Sequence, residues 1–549
     1  MGIVRVIPLG GVGEIGKNCT VVEQGEDIVV IDCGLSFPTE EMLGIDIVIP
    51  DFSYLVENKD KVKGIFITHA HEDHVGGLPY LMAHLDCPVY MTEFAHALVS
   101  TKLEEKLPNR KVDIKVFKPG DTIEAGSLSV ETVRITHSIP ETCCMAVRTD
   151  HGIVFFTADF KFDFTPVDNK IANITRIGEI GKEGVVLLLS DSTNVERAGW
   201  GPSERQVVEG LQKVFATHSG RILLTTFASN IHRMQQFFEV AAEYGRKVAI
   251  VGRRMEQNVD ICERLGYITV PKGTRIGLND MRMYRDDQIA VLTTGSQGEP
   301  LSALVQMSKG SYGRLQIKPG DALIYSARPI PGNEGAIWRT INRLFRQGCD
   351  VIYDAPYPIH VSGHAYQEEL KMMLNLTKPF YVAPVHGEPR HQHVYNEMAR
   401  DMGYPEHRVF TLSDGDALCI EETNAHIESE AVPYGRVLVD NTGTPGVTDE
   451  VLRDRNNVAN DGIVVVTIVL DVEKGELVAD PTLQARGFHG PEGTLEYAFD
   501  VLNDALNALS REELKDVGRV RSDASDVVRR SLQKKAQRRP LVLPVVVEV

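Results

Sequence analysis

The stretch Thr68-His69-Ala70-His71-Glu72-Asp73-His74 decides the fold of this chain. It places three histidines and two carboxylates within six residues, directly after the apolar run Ile65-Phe66-Ile67, which predicts a buried strand. Neutral imidazole and carboxylate suit zinc and chemically similar metals, and a strand end holds such side chains rigidly. A solvated histidine-rich turn would explain a lone histidine better than this cluster. The stretch therefore predicts a metal site at the end of a strand.

Four more polar clusters follow predicted strands elsewhere in the chain. Taken singly, each cluster is more often a turn or a helix cap than a functional site. Together with the histidine cluster they predict one site, assembled at one edge of the sheets. Their candidate side chains are His137, Asp159, Asp191 and His386.

Length and composition indicate a globular protein of several domains. A chain of 549 residues is too long for one core, and its 43% hydrophobic and 24% charged residues are ordinary for a folded protein. No apolar run approaches the roughly 18 residues of a membrane span. The N-terminus lacks the order of a signal peptide. We therefore expect a soluble, cytoplasmic protein with no membrane partner.

The eight cysteines are scattered and form no Cys-x-x-Cys pair. This spacing argues against a disulfide framework and against a cysteine-based zinc site. Any metal must then be held by histidine and aspartate.

The net charge of −18 hides a basic segment. Residues 204–350 carry 20 lysines and arginines against 14 aspartates and glutamates. A polyanion would be attracted to this segment, although a solvated basic face explains the charge nearly as well.

Gly11-Val12-Gly13-Glu14-Ile15-Gly16 matches the dinucleotide-binding fingerprint but lies in the wrong context. The fingerprint requires a helix next, whereas residues 18–23 and 27–32 predict the two strands of a hairpin. A Rossmann domain is therefore excluded.

The order of predicted elements indicates an α/β protein with an insertion. Strands and helices alternate through the first part, including a helix predicted over residues 75–85. Four short apolar strands within the basic segment alternate with helices, a pattern typical of a parallel sheet. The predicted boundaries are a first domain over 1–203 that resumes at 353–420, an inserted domain over 204–352, a surface linker over 421–460, and a C-terminal domain over 461–549.

Two donor-rich loops predict an anion pocket. Ser229 and Asn230 begin a predicted helix, where capping alone would explain them. Free backbone N–H groups and the helix dipole also favour phosphate at such a position. The candidate pocket residues are Ser229, Asn230 and Ile231 from the first loop, and His360, Val361, Ser362, Gly363 and His364 from the second.

These residues carry a resemblance to a known family. The histidine cluster with His137, Asp159 and His386 resembles the metal ligands of the metallo-β-lactamase fold. The insertion, with Asp191, His364 and His386 as accompanying motifs, is similar to that of the β-CASP nucleases. Residues 10–18, residues 227–233 and the tail resemble the bacterial ribonuclease J family over nearly the whole chain. Ala158 stands where the family often has glycine, with no evident chemical consequence.

The resemblance implies a fold and a metal centre. The fold would be a metallo-β-lactamase αββα sandwich with an inserted β-CASP α/β domain and a small α+β C-terminal domain. His69, His71 and His137 would hold one divalent cation, and Asp73, His74 and His386 a second, with Asp159 bridging. Zinc suits these ligands and manganese also accepts them, so the sequence leaves the metal open.

The resemblance also implies an activity. The chain would be a 5′–3′ exoribonuclease and endoribonuclease that hydrolyses single-stranded RNA with a 5′ monophosphate, leaves 5′-phosphate products, and acts in RNA maturation and mRNA decay. Asp73, Asp191 and His364 would be catalytic, with His364 protonating the leaving oxygen. The C-terminal domain would form a homodimer or homotetramer, and an RNA-degradation complex is a further expected partner.

Three other functions were weighed against this one. A small-molecule metallohydrolase would need the same ligands but no long basic insertion. A DNA-directed β-CASP nuclease would share the architecture. In a non-catalytic RNA-binding scaffold, some of the metal-ligand residues would be replaced, whereas all seven are present.

Overall fold

A computed structural model describes residues 2–39, 41–330, 332–353, 356–422 and 424–549. The chain divides into two compact units. The larger unit comprises Met1–Phe37 and Ile47–Val437, and the smaller comprises Pro38–Asp46 and Leu438–Val549. Strands Ile45–Pro50 and Arg436–Asp440 each contain a boundary between the units.

Two sheets pack face to face in the larger unit. In spatial order, the first sheet consists of Ala425–Glu428, Ala417–Ile420, Val4–Gly10, Cys19–Gln24, Asp27–Ile31, Val62–Phe66, Val89–Thr92 and Ile114–Phe117. The second consists of Tyr381–Val385, Val185–Asp191, Gly152–Phe156, Cys143–Thr149, Leu128–Arg134 and Thr122–Ala125. Apolar side chains from both sheets form one core, with Val22 and Ile31 on one side and Met145 and Leu187 on the other.

Helices cover the outer faces of both sheets. Ile174–Gly184, Gln367–Thr377 and Pro389–Asp401 bury apolar side chains against the second sheet. Glu93–Lys106 packs on strands of the first sheet. This helix–sheet–sheet–helix arrangement confirms the predicted αββα sandwich. The remaining short helices of this part are Ser53–Glu57, Lys59–Lys61, Glu72–Val75, Leu78–Leu81 and Glu406–Arg408.

The helix predicted over residues 75–85 is wrong in extent. The chain instead forms two single turns, Glu72–Val75 and Leu78–Leu81. A Cβ atom on Gly77 would lie 2.6 Å from the backbone oxygen of Gly34. This close approach requires glycine and bends the chain at that point.

The insertion is a parallel sheet with helices, as predicted. Its strands, in spatial order, are Arg275–Ile276, Lys247–Val251, Ile289–Thr293, Ile222–Thr225, Ala322–Tyr325 and Asp350–Ile352, and each neighbouring pair is parallel. Its helices are Gln206–Thr217, Ile231–Glu243, Arg253–Leu265, Leu278–Met283, Asp286–Gln288, Ala303–Ser308 and Glu334–Arg346. Because all strands run the same way, the loops that follow them lie at one edge of the sheet.

The smaller unit contains a three-stranded sheet covered by helices on one face. Strand Ile463–Asp471 lies between Glu476–Arg486, which is antiparallel to it, and Leu541–Glu548, which is parallel. A buried apolar core joins the inner face of this sheet to the helices. The remaining elements of the unit are Pro445–Val447, Asp449–Asp461, Thr494–Asn507, Arg511–Leu514 and Val517–Ala536.

The surface linker predicted over residues 421–460 contains regular secondary structure that the sequence interpretation missed. Strand Ala425–Glu428 is the edge of the first sheet, and Asp449–Asp461 is a helix capped by Thr448. The polar composition misled the prediction because only Leu452 of that helix is buried. The boundary between compact units lies after Val437, earlier than the residue 461 predicted from the sequence.

None of the helices among the described residues is both long and apolar enough to cross a membrane.

Candidate metal centre

The histidine cluster is held in place by the neighbouring strand. Asp32 follows strand Asp27–Ile31, and its carboxylate accepts hydrogen bonds from the backbone N–H and the hydroxyl of Thr68, both at 2.8 Å. His71 then caps the short helix Glu72–Val75, which presents Asp73 and His74. These contacts fix the turn between the strand and the short helix, so the histidines before the helix and the ligands on it converge on one centre.

Four side chains converge in a first group. His69 Nε2 and His137 Nε2 lie 3.0 Å and 3.1 Å from His71 Nδ1. Asp159 Oδ2 lies 3.7 Å from His69 Nε2 and 3.8 Å from His137 Nε2. All four ligand atoms fall within 4.8 Å of one another.

A second group shares Asp159 with the first. His74 Nε2 lies 3.2 Å from Asp159 Oδ2, and His386 Nε2 lies 3.2 Å from Asp73 Oδ2. These four ligand atoms also fall within 4.8 Å of one another. The structure thus brings together all seven predicted metal ligands, with Asp159 common to both groups.

Hydrogen bonds at the far side of two imidazoles fix which nitrogen carries the proton. His137 Nδ1 donates to Gly363 O at 2.8 Å, and His74 Nδ1 donates to Asp32 Oδ2 at 2.7 Å. In the neutral ring the Nε2 atom then carries a lone pair, and both Nε2 atoms point into the centre. Lone pairs and carboxylate oxygens at such short separations repel one another unless a cation lies between them. The donor set therefore fits two divalent cations.

Burial and charge divide the imidazoles into two classes. Burial, with neighbouring histidines, holds the pKa of His69 and His137 well below the ordinary value and lowers the pKa of His71 to about 4. Burial also opposes the charged form of His74 and His386, but nearby carboxylates outweigh it and raise the pKa of both. The three imidazoles of the first group are therefore neutral and ready to bind a metal. At the two imidazoles of the second group, a metal would have to displace a proton.

Asp191 and His364 form a third group beside the ligands. His364 Nδ1 lies 2.8 Å from Asp191 Oδ2, and the His364 ring stacks on His386 with centroids 5.4 Å apart. Burial disfavours the imidazolium, but Asp191 and Asp159 outweigh it and raise the pKa of His364. The side chain of His364 is 19% exposed and its Nε2 lies 4.0 Å from Asp159 Oδ2, so the charged imidazole lies between the solvent and the centre.

The two predicted anion loops have different local roles. Asn230 Oδ1 accepts from Arg233 N at 3.1 Å and caps helix Ile231–Glu243, which is the plain capping role weighed from the sequence. Ser362 Oγ accepts from Asn194 at 2.8 Å. The loops are linked through Arg233, which donates to Ile359 O at 3.1 Å.

Cations surround His360 in the second loop. Burial, Arg233, Arg328 and Lys161 together hold the pKa of His360 well below its ordinary value. Its Nδ1 atom is buried and has no hydrogen-bond partner among the described residues. Positive charge attracts an anion, and Arg328 contributes to it here, whereas Glu204 pairs with Arg233 and Asp163 with Lys161.

Several supporting residues were missed by the sequence interpretation. Thr193 hydroxyl lies 2.8 Å from His386 Nδ1, and Asn18 donates to Asp73 O at 3.0 Å. Arg233 is fully buried and pairs with Glu204 at 2.7 Å. Polar residues at strand ends, such as Asp32 and Thr193, were visible in the sequence, but their partners depend on long-range strand pairing.

Ala158 has a structural consequence that the sequence did not suggest. Its φ angle of 54° lies in the left-handed region, where glycine is favoured. A side chain in this conformation costs about 1–2 kcal/mol, and it stands directly before Asp159, which both ligand groups share.

A fourth group joins Cys419, His426 and Glu428 on the edge strands of the first sheet. Arg5 lies 3.6 Å from Glu428 and pairs with Glu23 at 3.1 Å. The guanidinium already supplies positive charge at this place, so the group does not resemble a second metal site.

Four family models match successive parts of the chain. They are described as metallo-beta-lactamase superfamily over residues 12–184, ribonuclease J beta-CASP domain over 219–344, Zn-dependent metallo-hydrolase RNA specificity domain over 357–411, and ribonuclease J C-terminal domain over 450–549.

Curated relatives match over nearly the full length. Ribonuclease J2 of Bacillus subtilis is 39% identical over 100% of this chain and 99% of the relative. Ribonuclease J of Thermus thermophilus is 40% identical over 99% of this chain and 95% of the relative. A crystal structure of a protein of unknown function from Enterococcus faecalis shares the fold, with a TM-score of 0.56, 15% identity, and coverage of 76% of this chain and 100% of that one.

Proposed function

This chain belongs to the ribonuclease J family, and from that premise we propose that its seven clustered ligands hold two divalent cations at which RNA is cut. The chain is a metal-dependent ribonuclease with exonuclease and endonuclease activity. The observation that carries the proposal is the convergence of two four-ligand groups on one shared carboxylate, Asp159.

His69, His71 and His137 would hold one cation, and Asp73, His74 and His386 the other. Two divalent cations in such a pair lower the pKa of water and neutralise charge that develops on a phosphate. Three neutral imidazoles in the first group favour zinc, and manganese is the alternative to be tested.

His364 would donate a proton to the leaving group, and Asp191 would position His364. Asp191 accepts from His364 at 2.8 Å and stabilises its charged form. A charged imidazole on the open side of the centre can donate its proton to the 3′ oxygen of the leaving nucleotide. The phosphate would then remain on the 5′ end of the product.

The two anion loops would hold a 5′ monophosphate. The positive end of the dipole of helix Ile231–Glu243 lies at the first loop, and Arg233, Arg328 and Lys161 lie near His360. Such a pocket suits the terminal phosphate of single-stranded RNA, and its size would exclude a triphosphate. Ser229, Asn230, Ile231 and the loop His360–His364 would line it.

The smaller unit would mediate self-association. The outer face of its sheet exposes Leu543, Val545 and Val547, at 47%, 39% and 42%. An exposed apolar row on an edge strand suits pairing with a second copy into a homodimer or homotetramer. All eight cysteines are free and buried, which fits a reducing, cytoplasmic setting. In that setting the enzyme would act in RNA maturation and mRNA decay, with an RNA-degradation complex as a further partner.

A comparison of 5′ ends tests the proposal. We expect 5′-monophosphorylated RNA to be degraded to mononucleotides, 5′-triphosphorylated RNA to resist exonucleolysis, and internal cleavage to occur on both. Ser362→Leu should block the pocket and remove exonuclease activity while sparing endonuclease activity. His364→Ala, which acts on the chemistry, should reduce both.

Indifference of the wild-type enzyme to the 5′ end would contradict the pocket assignment. Equal loss of both activities in Ser362→Leu would contradict it as well, and the first loop would then be a plain helix cap.

A further inference from the structure

Three aromatic side chains form an exposed patch on the last helix of the insertion and at the residue that follows its last strand. Trp338, Phe345 and Tyr353 are 44%, 45% and 43% exposed. The ring centroid of Tyr353 lies 5.3 Å from that of Trp338 and 6.5 Å from that of Phe345. Large aromatic side chains grouped at a surface are typical of a binding site. We call these three residues the aromatic patch.

The helix Glu334–Arg346 carries this patch beside a row of arginines. Its buried face consists of Ile337, Thr340, Ile341 and Leu344. On the outer side, residues spaced by four and three fall into two adjacent rows along the helix axis. One row contains Trp338, Asn342 and Phe345, and the other contains Arg339, Arg343 and Arg346.

The charge of this surface favours a polyanion. The helix holds three arginines against one carboxylate, Glu334. Within the described parts of the chain, no carboxylate lies at ion-pair distance from Arg343 or Arg346. Two positive side chains are therefore free to meet phosphates.

One residue of the patch, Tyr353, lies at the functional edge of the parallel sheet. Tyr353 directly follows the last strand, Asp350–Ile352, as Ser326 follows strand Ala322–Tyr325. The loop that begins helix Ile231–Glu243 follows a third strand of the same sheet, Ile222–Thr225. Because the strands are parallel, all three positions lie at one edge.

We propose that the aromatic patch and its arginine row bind the part of a single-stranded RNA that extends beyond the metal centre. Bases stack on Trp338, Phe345 and Tyr353, and the arginines contact the phosphates between them. The ring of Tyr353 meets those of Trp338 and Phe345 edge-on, at 85° and 84°, so the three rings offer separate faces on which bases can stack.

A second copy of the chain fits this surface less well. A two-fold contact brings the same surface of both copies together, so two positively charged surfaces would face each other and repel. The inference rests on the proposed function, because the ligand is the RNA substrate itself.

Cleavage of two RNA lengths by the holoenzyme tests the inference. With 5′-monophosphorylated RNAs of about 20 and about 5 nucleotides, Trp338→Ala should raise the KM for the long RNA at least fivefold and leave the short RNA unaffected. Tyr434→Ala is the matched control, because Tyr434 is also 44% exposed but lies outside the insertion. Arg343→Gln should lower the salt dependence of long-RNA binding by about 0.7 in log–log slope.

Tryptophan fluorescence gives a direct readout. The chain has two tryptophans, so Trp200→Phe leaves Trp338 alone. A cleavage-resistant phosphorothioate RNA of about 20 nucleotides should quench Trp338, and one of about 5 nucleotides should not.

Two results would overturn the inference. One is an unchanged KM for the long RNA in Trp338→Ala together with unquenched Trp338. The other is a lower oligomer mass for Trp338→Ala by light scattering, which would make the patch a protein interface. Failure of the ribonuclease assignment is distinct, since wild type would then cut neither RNA.

Discussion

At the scale of single residues, the metal centre is built on strained backbone. Asp32, Ala158 and His386 adopt φ angles of 62°, 54° and 49°, in the left-handed region. All three stand at or just beyond the end of a strand that leads to the centre. Sharp turns of this kind redirect the following side chain, and the surrounding hydrogen bonds hold them. The conformational strain is thus located where the ligand side chains converge.

A second residue-scale feature is the buried carboxylate of Asp414. Burial and the charge of Glu14 raise the pKa of Asp414 to about 8, although Lys17 opposes the shift. The pKa of Asp414 is higher in the folded protein than in the unfolded chain. Between these two pKa values the folded protein therefore holds one proton that the unfolded chain has lost. Ionisation of Asp414 therefore reduces stability as pH rises from about 4 to about 8.

Asp414→Asn should remove this pH dependence. The amide oxygen can still accept from Val12 N, which lies 3.2 Å from Asp414 Oδ1. We expect the variant to exceed wild type in free energy of unfolding by roughly 1–3 kcal/mol at about pH 8, with a smaller gap at about pH 5. Urea unfolding followed by circular dichroism measures the free energy of unfolding of each protein at each pH. A gap that does not change with pH would contradict the assignment.

At the scale of elements, one buried arginine joins three segments. Arg233, on helix Ile231–Glu243, donates to Glu204 Oε1 through two nitrogens at 2.9 Å and 2.7 Å. It also donates to Ile359 O at 3.1 Å and to the hydroxyl of Ser326. The start of the insertion, the end of one of its strands and the return segment thus meet at a single side chain.

Arg233→Ala should destabilise the protein by roughly 3–5 kcal/mol, because it leaves the carboxylate of Glu204 buried without a partner. The matched control is the double variant Arg233→Met with Glu204→Leu, which removes both charges and should recover much of that loss. Chemical denaturation compares the two. If the double variant were as unstable as the single one, the lost contacts to Ile359 and Ser326, not the unpaired charge, would carry the cost.

The elements that sequence reasoning predicted well are those whose signal is local. Apolar runs ending in polar clusters located the strands that lead to the candidate ligands, because a strand and the residues after it are adjacent in sequence. Other strands of the two sheets, such as Cys143–Thr149 and Ala417–Ile420, were not predicted. The support of His74 by Asp32 was not predictable, since it depends on which strands pair. The helix Asp449–Asp461 was missed because its single buried residue leaves almost no periodicity.

At the scale of the whole molecule, the outer face of the C-terminal sheet should determine the oligomeric state. Val545→Lys places a charge on that face, and we expect monomers with weakened activity. Val451→Lys is the control, since Val451 belongs to the same compact unit and is 42% exposed, against 39% for Val545. Light scattering gives the mass of each variant. A Val545→Lys protein with the mass of wild type would place the interface elsewhere.

The central claim is that two divalent cations, held by seven side chains around Asp159, are required for RNA cleavage. The most direct measurement is cleavage of RNA as zinc or manganese is added back to chelator-treated protein, with bound metal determined by plasma emission spectroscopy. Activity should rise until two ions are bound per chain, and Asp73→Ala should bind less metal and lose cleavage while still binding RNA. Full activity with one ion or none, or wild-type cleavage by Asp73→Ala, would contradict the account.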